Sequence, residues 1–357
     1  MSTVQILSLL VCFALTAICL RALRPAAYRF DLIDQPCNRK RHRTATPLLG
    51  GISIFIGFLC AALIGAETSY EFFSFLLAAG FMVVLGVIDD RHDISAKTRL
   101  AAQAVIASLL IFSGDMTFTT LGDLLGVGEL QLGLFAIPFT YLAILAAINA
   151  FNMIDGIDGL LGGVALLCFA AIGVLALLHG AYPLAYFSLL IAIALVPFLI
   201  CNLGFDGARC KVFMGDSGSM FIGLAVVWLL VVATQHEHEF GNIKPVTALW
   251  LVALPIMDIV SVMARRILAG DSPIKAGRDH IHHFYLRAGF NSRHTLFLLL
   301  AFTAVMQMVG VMGDLAEVPD FIMFITFIVT YFAYLLHLKW LQLRAKKLNL
   351  KVHRVKL

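Results

Sequence analysis

The chain has 357 residues, of which 61% are hydrophobic and only 13% charged, and its net charge is +4. Soluble domains carry about 25% charged residues, so roughly half of the usual surface charge is missing. With a mean hydropathy of +0.92, this excludes a water-soluble globular protein, a disordered chain and a disulfide-stapled secreted domain. The remaining class is an all-α, polytopic membrane protein.

A spanning helix needs about 20 mostly apolar residues. In chain order such runs occur near 3–22, 49–66, 71–88, 100–113, 133–151, 160–179, 183–201, 219–234, 245–264, 295–312 and 319–337. The run at 100–113 is short and gains length if it starts a few residues earlier. Alternating segments of about ten residues do not recur, which argues against a β-barrel. The first run lacks a basic n-region, with Arg21 and Arg24 following it, and reads as a retained, signal-anchor-like helix.

Eleven spans place odd and even connections on opposite sides. Lys and Arg number 7 in 21–43, 3 in 91–99, 2 in 209–211, 6 in 265–293 and 7 in 339–356, leaving only Lys244 on the other side. The positive-inside rule then puts the N-terminus outside (periplasmic if the cell is a bacterium with two membranes) and the C-terminus in the cytoplasm. Residues 1–338 read as a single transmembrane catalytic domain with cytoplasmic loops 23–48, 89–99, 202–218 and 265–294. Residues 339–357 read as a basic cytoplasmic tail suited to anionic lipid. The seven cysteines form no C-x-x-C, and neither disulfides nor a zinc site is implied.

The acidic residues locate the chemistry. Asp89, Asp90 and Asp93 end the third span; Asn149, Asn152, Asp155 and Asp158 recur every three residues at the end of the fifth; Asp216 opens the eighth in F-M-G-D-S-G-S. Carboxylates at membrane depth need a cation, a pairing partner or water. If helical, the Asn/Asp series forms one drifting stripe, usable either for chemistry or as interhelical glue. Asp89 and Asp90 are adjacent and point in different directions, so one can serve a ligand while a basic partner binds the other. The segment 265–294 brings Arg265, Arg266, Lys275, Arg278 and D-H-I-H-H, with His280, His282 and His283. Hard oxygen donors suit Mg²⁺ or Mn²⁺ better than zinc, and the His/Arg/Lys mixture suits phosphates. Together they fit a diphosphate held through a divalent cation beside a lipid-borne reactant.

These strings, in this order, resemble the polyprenyl-phosphate N-acetylhexosamine-1-phosphate transferase family. The matching pieces are D-D-R-H-D at 89–93, N-A-F-N-M-I-D-G-I-D-G-L at 149–160, F-M-G-D-S-G-S at 213–219, H-I-H-H at 280–283, and I-D-Q-P-C-N-R-K-R-H at 33–42 leading to P-L-L-G-G. The H-I-H-H form and the eleven spans resemble the N-acetylglucosamine branch. The resemblance implies a bacterial inner-membrane enzyme with its site facing the cytoplasm. Its expected partners are UDP-N-acetylglucosamine, undecaprenyl phosphate and membrane lipid, with no nucleic acid. The implied products are undecaprenyl-diphosphate-N-acetylglucosamine and UMP, the first membrane step of a cell-surface polysaccharide such as O-antigen.

By the same resemblance Asp216 is a Mg²⁺ (or Mn²⁺) ligand, with Asn152 as the second. Asp89 or Asp90 orients or deprotonates the lipid phosphate. Because the second pKa of a phosphate monoester is about 6, positioning outweighs deprotonation. Asp155 and Asp158 hold the metal-diphosphate or the sugar. Asn149 is expected on the substrate side, and Lys97 or Arg99, Arg265, His280, His282 and His283 on phosphates. Asp258 is expected to pair structurally with a loop Arg or Lys. Direct in-line attack is simpler than a covalent aspartyl intermediate. An intramembrane aspartyl protease fits poorly, since F-M-G-D lacks the first glycine of G-x-G-D. A transporter fits poorly because the charges crowd one face and no repeat is visible.

Overall fold

The structure, a computed structural model, describes residues 2–35, 45–65, 69–207, 210–235, 243–274 and 277–355, with side chains to 348. Most of the expected 33–42 segment and Lys275 lie outside the described residues. Helix α1 (Thr3–Ala22) and the short α2 (Arg24–Arg29) precede two-residue strands β1 (Ile33–Asp34) and β2 (Thr46–Pro47). The strands pair antiparallel, Ile33 with Pro47 and Asp34 with Thr46. There follow α3 (Gly50–Gly65), α4 (Tyr70–His92), α5 (Ala96–Ser113), α6 (Ala136–Ile154), α7 (Leu160–Leu178), α8 (Tyr182–Asn202) and α9 (Gly215–Gln235). The last five are α10 (Pro245–Leu251), α11 (Ala253–Leu268), α12 (Ile281–Arg287), α13 (Ser292–Leu315) and α14 (Asp320–Val355).

Among the described residues, nine helices are long and apolar enough to cross a membrane, or ten if α10 and α11 are one broken span. Helix α3 is apolar but only 16 residues long. The short run near 100–113 does start earlier, at Ala96, where the Ser95 hydroxyl accepts from the Thr98 N–H at 3.2 Å. Helix α14 continues to Val355 without a break at residue 339.

The apolar run expected near 245–264 is present but is not one straight helix. The chain bends by 80° between α10 and α11. Pro255 has no N–H for the carbonyl of Leu251, four residues back, so a straight helix fails there. The freed carbonyl accepts instead from Gln307 Nε2 on α13, at 2.9 Å. Inside hydrocarbon such replacement is what makes a break tolerable.

Helix α9 is apolar all round, and such a helix belongs at a centre rather than a surface. Every residue from Ser217 to Thr234 is buried. Its start is gripped by missing side chains: a Cβ on Gly51 (α3) would stand 2.1 Å from the Gly218 nitrogen, and one on Gly86 (α4) 2.2 Å from Ser217 Cα. Small residues permit this close helix contact. Outward, Val105, Phe112, Leu142, Phe297, Val329 and Leu336 are exposed, an apolar surface suited to lipid rather than water.

Candidate active site

Two glycine-rich segments far apart in sequence are stitched together at one end of α9. The Phe213 N–H donates to Pro47 O, Gly50 N–H to Phe213 O and Gly51 N–H to Met214 O, each at 2.9 Å. This fixes the F-M-G-D turn against the start of α3. Gly215 sits there at φ +74°, and a Cβ would come within 2.6 Å of Asp90 Oδ2. Both the left-handed backbone and the contact require glycine.

The adjacent aspartates divide their work. Asp90, at the end of α4, accepts the Asp216 N–H at 2.7 Å and the Ser217 N–H at 3.2 Å. It thereby caps the exposed donors of α9 from a neighbouring helix. Asp89 points the other way and is buried. It accepts from Arg99 Nη1 and from the Ile94 N–H, both at 3.0 Å.

At the end of α6, Asn152 Nδ2 donates to Asp216 Oδ1 at 2.5 Å and to Ser219 Oγ at 2.8 Å. The helix stops at Ile154, so Asp155 and Asp158 lie on the turn into α7 and do not continue a stripe. Asn202 latches that turn, accepting the Gly159 N–H at 2.6 Å while donating to Val212 O at 2.9 Å. Asp158 pairs with Lys211 at 2.6 Å. Asp155 opens to solvent yet is encircled by protein; that enclosure, then the charges of Asp216 and Asp158, pushes its carboxyl up to about 7.

The opposite wall is cationic. Buried Asp258 accepts His280 Nδ1–H at 2.8 Å on one oxygen, and Ile281 N–H at 2.9 Å and Tyr334 Oη–H at 3.0 Å on the other. Its expected Arg or Lys partner is therefore replaced by a histidine, a backbone amide and a tyrosine. His282 is buried with no hydrogen-bond partner on either ring nitrogen. Burial, then His283, His280 and Arg287, holds it well below the ordinary range, and burial followed by the same kind of charges lowers His283 to about 4. Both are neutral at pH 7. Arg266 grips Asp279 through Nε at 3.0 Å and Nη2 at 2.8 Å.

These pieces enclose a cavity of about 1600 Å³, lined by Asp89, Asp90, Asn152, Asp155, Asp158 and Asp216 and by Lys211, Arg266, His283 and Arg287. A side recess of about 400 Å³ adds Arg99, His280 and His282. Three expected residues are elsewhere. Lys97 is exposed on the first turn of α5. Asn149 is buried, donating to Gln103 Oε1 at 2.9 Å and to Leu145 O at 2.8 Å. Arg265 donates to Asp279 O at 2.6 Å and lies over Phe284.

A model of glycosyl transferase family 4 matches residues 72–234, which carry the acidic half of this cavity. Proteins described as undecaprenyl-phosphate alpha-N-acetylglucosaminyl 1-phosphate transferase are similar over nearly the whole chain. The one from Salmonella typhi is 42% identical over 325 residues, 90% of this chain and 88% of its own. That from Yersinia pestis is 41% identical over 312 residues (87% and 85%), and that from Haemophilus influenzae 38% over 329 (92% and 92%). The chain belongs to glycosyl transferase family 4.

The resemblance drawn from the five sequence strings is thus borne out. What the strings did not single out in this family 4 member are Arg266, Lys211 and Arg287. Arg266 is adjacent to Arg265 at a helix end, and spacing alone gives no reason to prefer one. Lys211 lies two residues before the F-M-G-D string and Arg287 four after H-I-H-H; nearness to a motif was the available signal.

The donor chemistry fits a hard divalent cation. Among the described residues no three His, Cys, Asp or Glu side chains form a ready ligand set. Mg²⁺ does not need one, since it is usually held by one or two carboxylates plus substrate phosphates. Asp216 and the Asn152 carboxamide are in contact, and turning that amide over presents its oxygen. Enclosure is the main cause of the raised Asp155 carboxyl, and the neighbouring Asp216 and Asp158 carboxylates add to it; a cation bound here would offset that second part.

Proposed function

We propose that the chain transfers N-acetylglucosamine 1-phosphate from UDP-N-acetylglucosamine to undecaprenyl phosphate, giving undecaprenyl-diphosphate-N-acetylglucosamine and UMP. The observation that carries this reading is the meeting of acidic helix ends and a cationic segment in one cavity, in a chain about 40% identical to proteins described as undecaprenyl-phosphate alpha-N-acetylglucosaminyl 1-phosphate transferases. An oxygen of the lipid phosphate attacks the sugar-bearing phosphorus, and the bond to the UMP oxygen breaks. Asp216 and Asn152 would hold Mg²⁺ or Mn²⁺, which when bound neutralises the diphosphate and the developing charge. Asp90 orients the F-M-G-D turn and, with Asp155 and Asp158, lines the space where the two phosphates meet. Arg266, Arg287 and Lys211 supply positive charge, and the neutral His282 and His283 supply N–H donors, for the departing UMP.

The orientation follows the basic residues: eleven crossings, counting α3 and the bent pair α10–α11, with the N-terminus periplasmic and the cavity cytoplasmic. The stretches assigned to the side of the site, the end of α14 among them, hold 25 of the 26 Lys and Arg residues. The setting is a bacterial inner membrane, and the lipid product would feed assembly of a surface polysaccharide such as O-antigen.

The test is purified protein with UDP-N-[¹⁴C]acetylglucosamine and undecaprenyl phosphate, with and without EDTA. Chelator-sensitive formation of labelled lipid and stoichiometric UMP is expected. Absence of both products with Mg²⁺ or Mn²⁺ present overturns the reading.

A further inference from the structure

The last helix contributes a residue that no sequence string pointed to. Tyr334 lies on α14, most of whose neighbouring side chains face outward, yet it is itself buried. Its hydroxyl donates to Asp258 Oδ1 at 3.0 Å, and Asp258 Oδ2 accepts from His280 Nδ1 at 2.8 Å. The Ile281 N–H fills the remaining position on Oδ1 at 2.9 Å. A carboxylate with three donors on two oxygens cannot rotate without losing at least one of them. Its orientation fixes the imidazole, as a carboxylate does for a metal-bound histidine.

We propose that Tyr334 is a positioning residue: acting through Asp258, it keeps the proton of His280 on Nδ1 and turns Nε2 toward the side recess. The ring of His280 lines that recess together with Arg99, Arg266 and His282. An imidazole in the opposite tautomer would present a donor where this one presents a lone pair, able to take up a proton from, or share one with, a phosphate oxygen. A second bond from the same helix supports the arrangement. One turn along α14, His337 Nε2 meets the Tyr285 hydroxyl at 2.8 Å, and Tyr285 belongs to the helix that begins with Ile281. Two side chains of α14, three residues apart, therefore hold the start and middle of the histidine segment from behind.

The inference rests on the proposed transferase reading for its kinetic arm but not for its spectroscopic one. Protein labelled with ¹⁵N-histidine in detergent is compared as wild type, Tyr334→Phe and Asp258→Asn, with His280→Gln used to assign the signal. The wild type should show His280 protonated at Nδ1. In Asp258→Asn the amide donates to Nδ1, so the proton should move to Nε2. In Tyr334→Phe, which keeps the ring and the packing, the Nε2-protonated population should rise severalfold. With both substrates, kcat should fall about tenfold in Tyr334→Phe while KM changes less than about twofold, the size typical of losing such a supporting group. An unchanged His280 signal in Tyr334→Phe overturns the proposal, whatever the activity. A wild type that releases no UMP overturns the transferase reading while the tautomer result still decides this one. A shifted signal with unchanged kcat overturns the positioning role.

Discussion

Gly156 and His282 share one space. A Cβ on Gly156 would stand 1.9 Å from His282 Nε2 and 2.4 Å from Cε1. The D-G-I-D-G turn and the H-I-H-H segment, more than a hundred residues apart, are therefore fitted to each other at van der Waals contact. Gly156→Ala should push the ring out of its buried site. We expect a loss of stability of about 1–3 kcal/mol, the usual range for an overpacked position, and a fall in UMP release of at least tenfold. Thermal unfolding in detergent and a UMP assay check this. Wild-type values for both would mean that the contact has no functional weight.

Asp216→Asn should fold, because an asparagine oxygen can still accept from Asn152 Nδ2. UMP release should drop by about 10²–10³-fold, as when a principal charge-stabilising group is removed. The response to Mg²⁺ or Mn²⁺ titration should flatten. Retained metal-dependent turnover would remove Asp216 from the proposed ligand set.

The Asp89–Arg99 pair is largely buried, at 2% and 19% exposure of the two side chains. Removing only Arg99 strands a buried carboxylate, whereas removing both charges does not. Arg99→Met should cost about 2–4 kcal/mol, and the double variant Asp89→Asn/Arg99→Met should recover part of it. Denaturation of the four proteins in the cycle measures the coupling. A double variant as unstable as the sum of the two singles would show none.

The neutral histidines make stability depend on pH. His283 titrates at about 4 in the folded protein and at about 6.5 when unfolded. Between those values the unfolded chain binds the extra proton, so this group's contribution falls as pH drops below about 6.5. Asp155 acts in the opposite sense, since its folded carboxyl is raised to about 7 and takes up a proton before the unfolded one. The readout is therefore a difference: His283→Gln should gain on the wild type as pH falls from 6.5 to 4.5. Parallel melting curves for the two proteins across that range would contradict the assignment.

Orientation can be read by labelling. Asn291 and Val127 are both exposed, on the histidine-segment side and in the loop before α6 respectively. In a background with the seven native cysteines replaced, Asn291→Cys should react with an impermeant maleimide only in inverted vesicles, and Val127→Cys only in intact cells. The reverse pattern would invert the proposed topology.

Much of this was legible in the chain because hydrocarbon imposes a strict rule. Long apolar runs had to be helices, and carboxylates had to gather where something could neutralise them. Asp90, Asp155, Asp158 and Asp216 do line one cavity. The periodic reading failed just beyond α6: Asn149 and Asp158 belong to one apparent stripe, but the helix ends between them and each finds a different environment. Lys97 and Arg99 are both on the first turns of α5, and only helix phase turns Arg99 inward to Asp89. Arg265 and Arg266 differ for the same reason. Such choices depend on how neighbouring helices are rotated, which no local pattern records. Tyr334 left no trace, since a tyrosine in an apolar helix looks like any interfacial aromatic.

The elbow at Val252 is permanent. Straightening it could not give the Leu251 carbonyl a helical partner, because Pro255 has no N–H to donate, and it would strip that carbonyl of Gln307. The histidine segment is therefore reached through an arm whose angle is set by a proline and an amide rather than by a charge. Gln307, a residue with no contact to the cavity, becomes the fastening of that arm to the rest of the bundle.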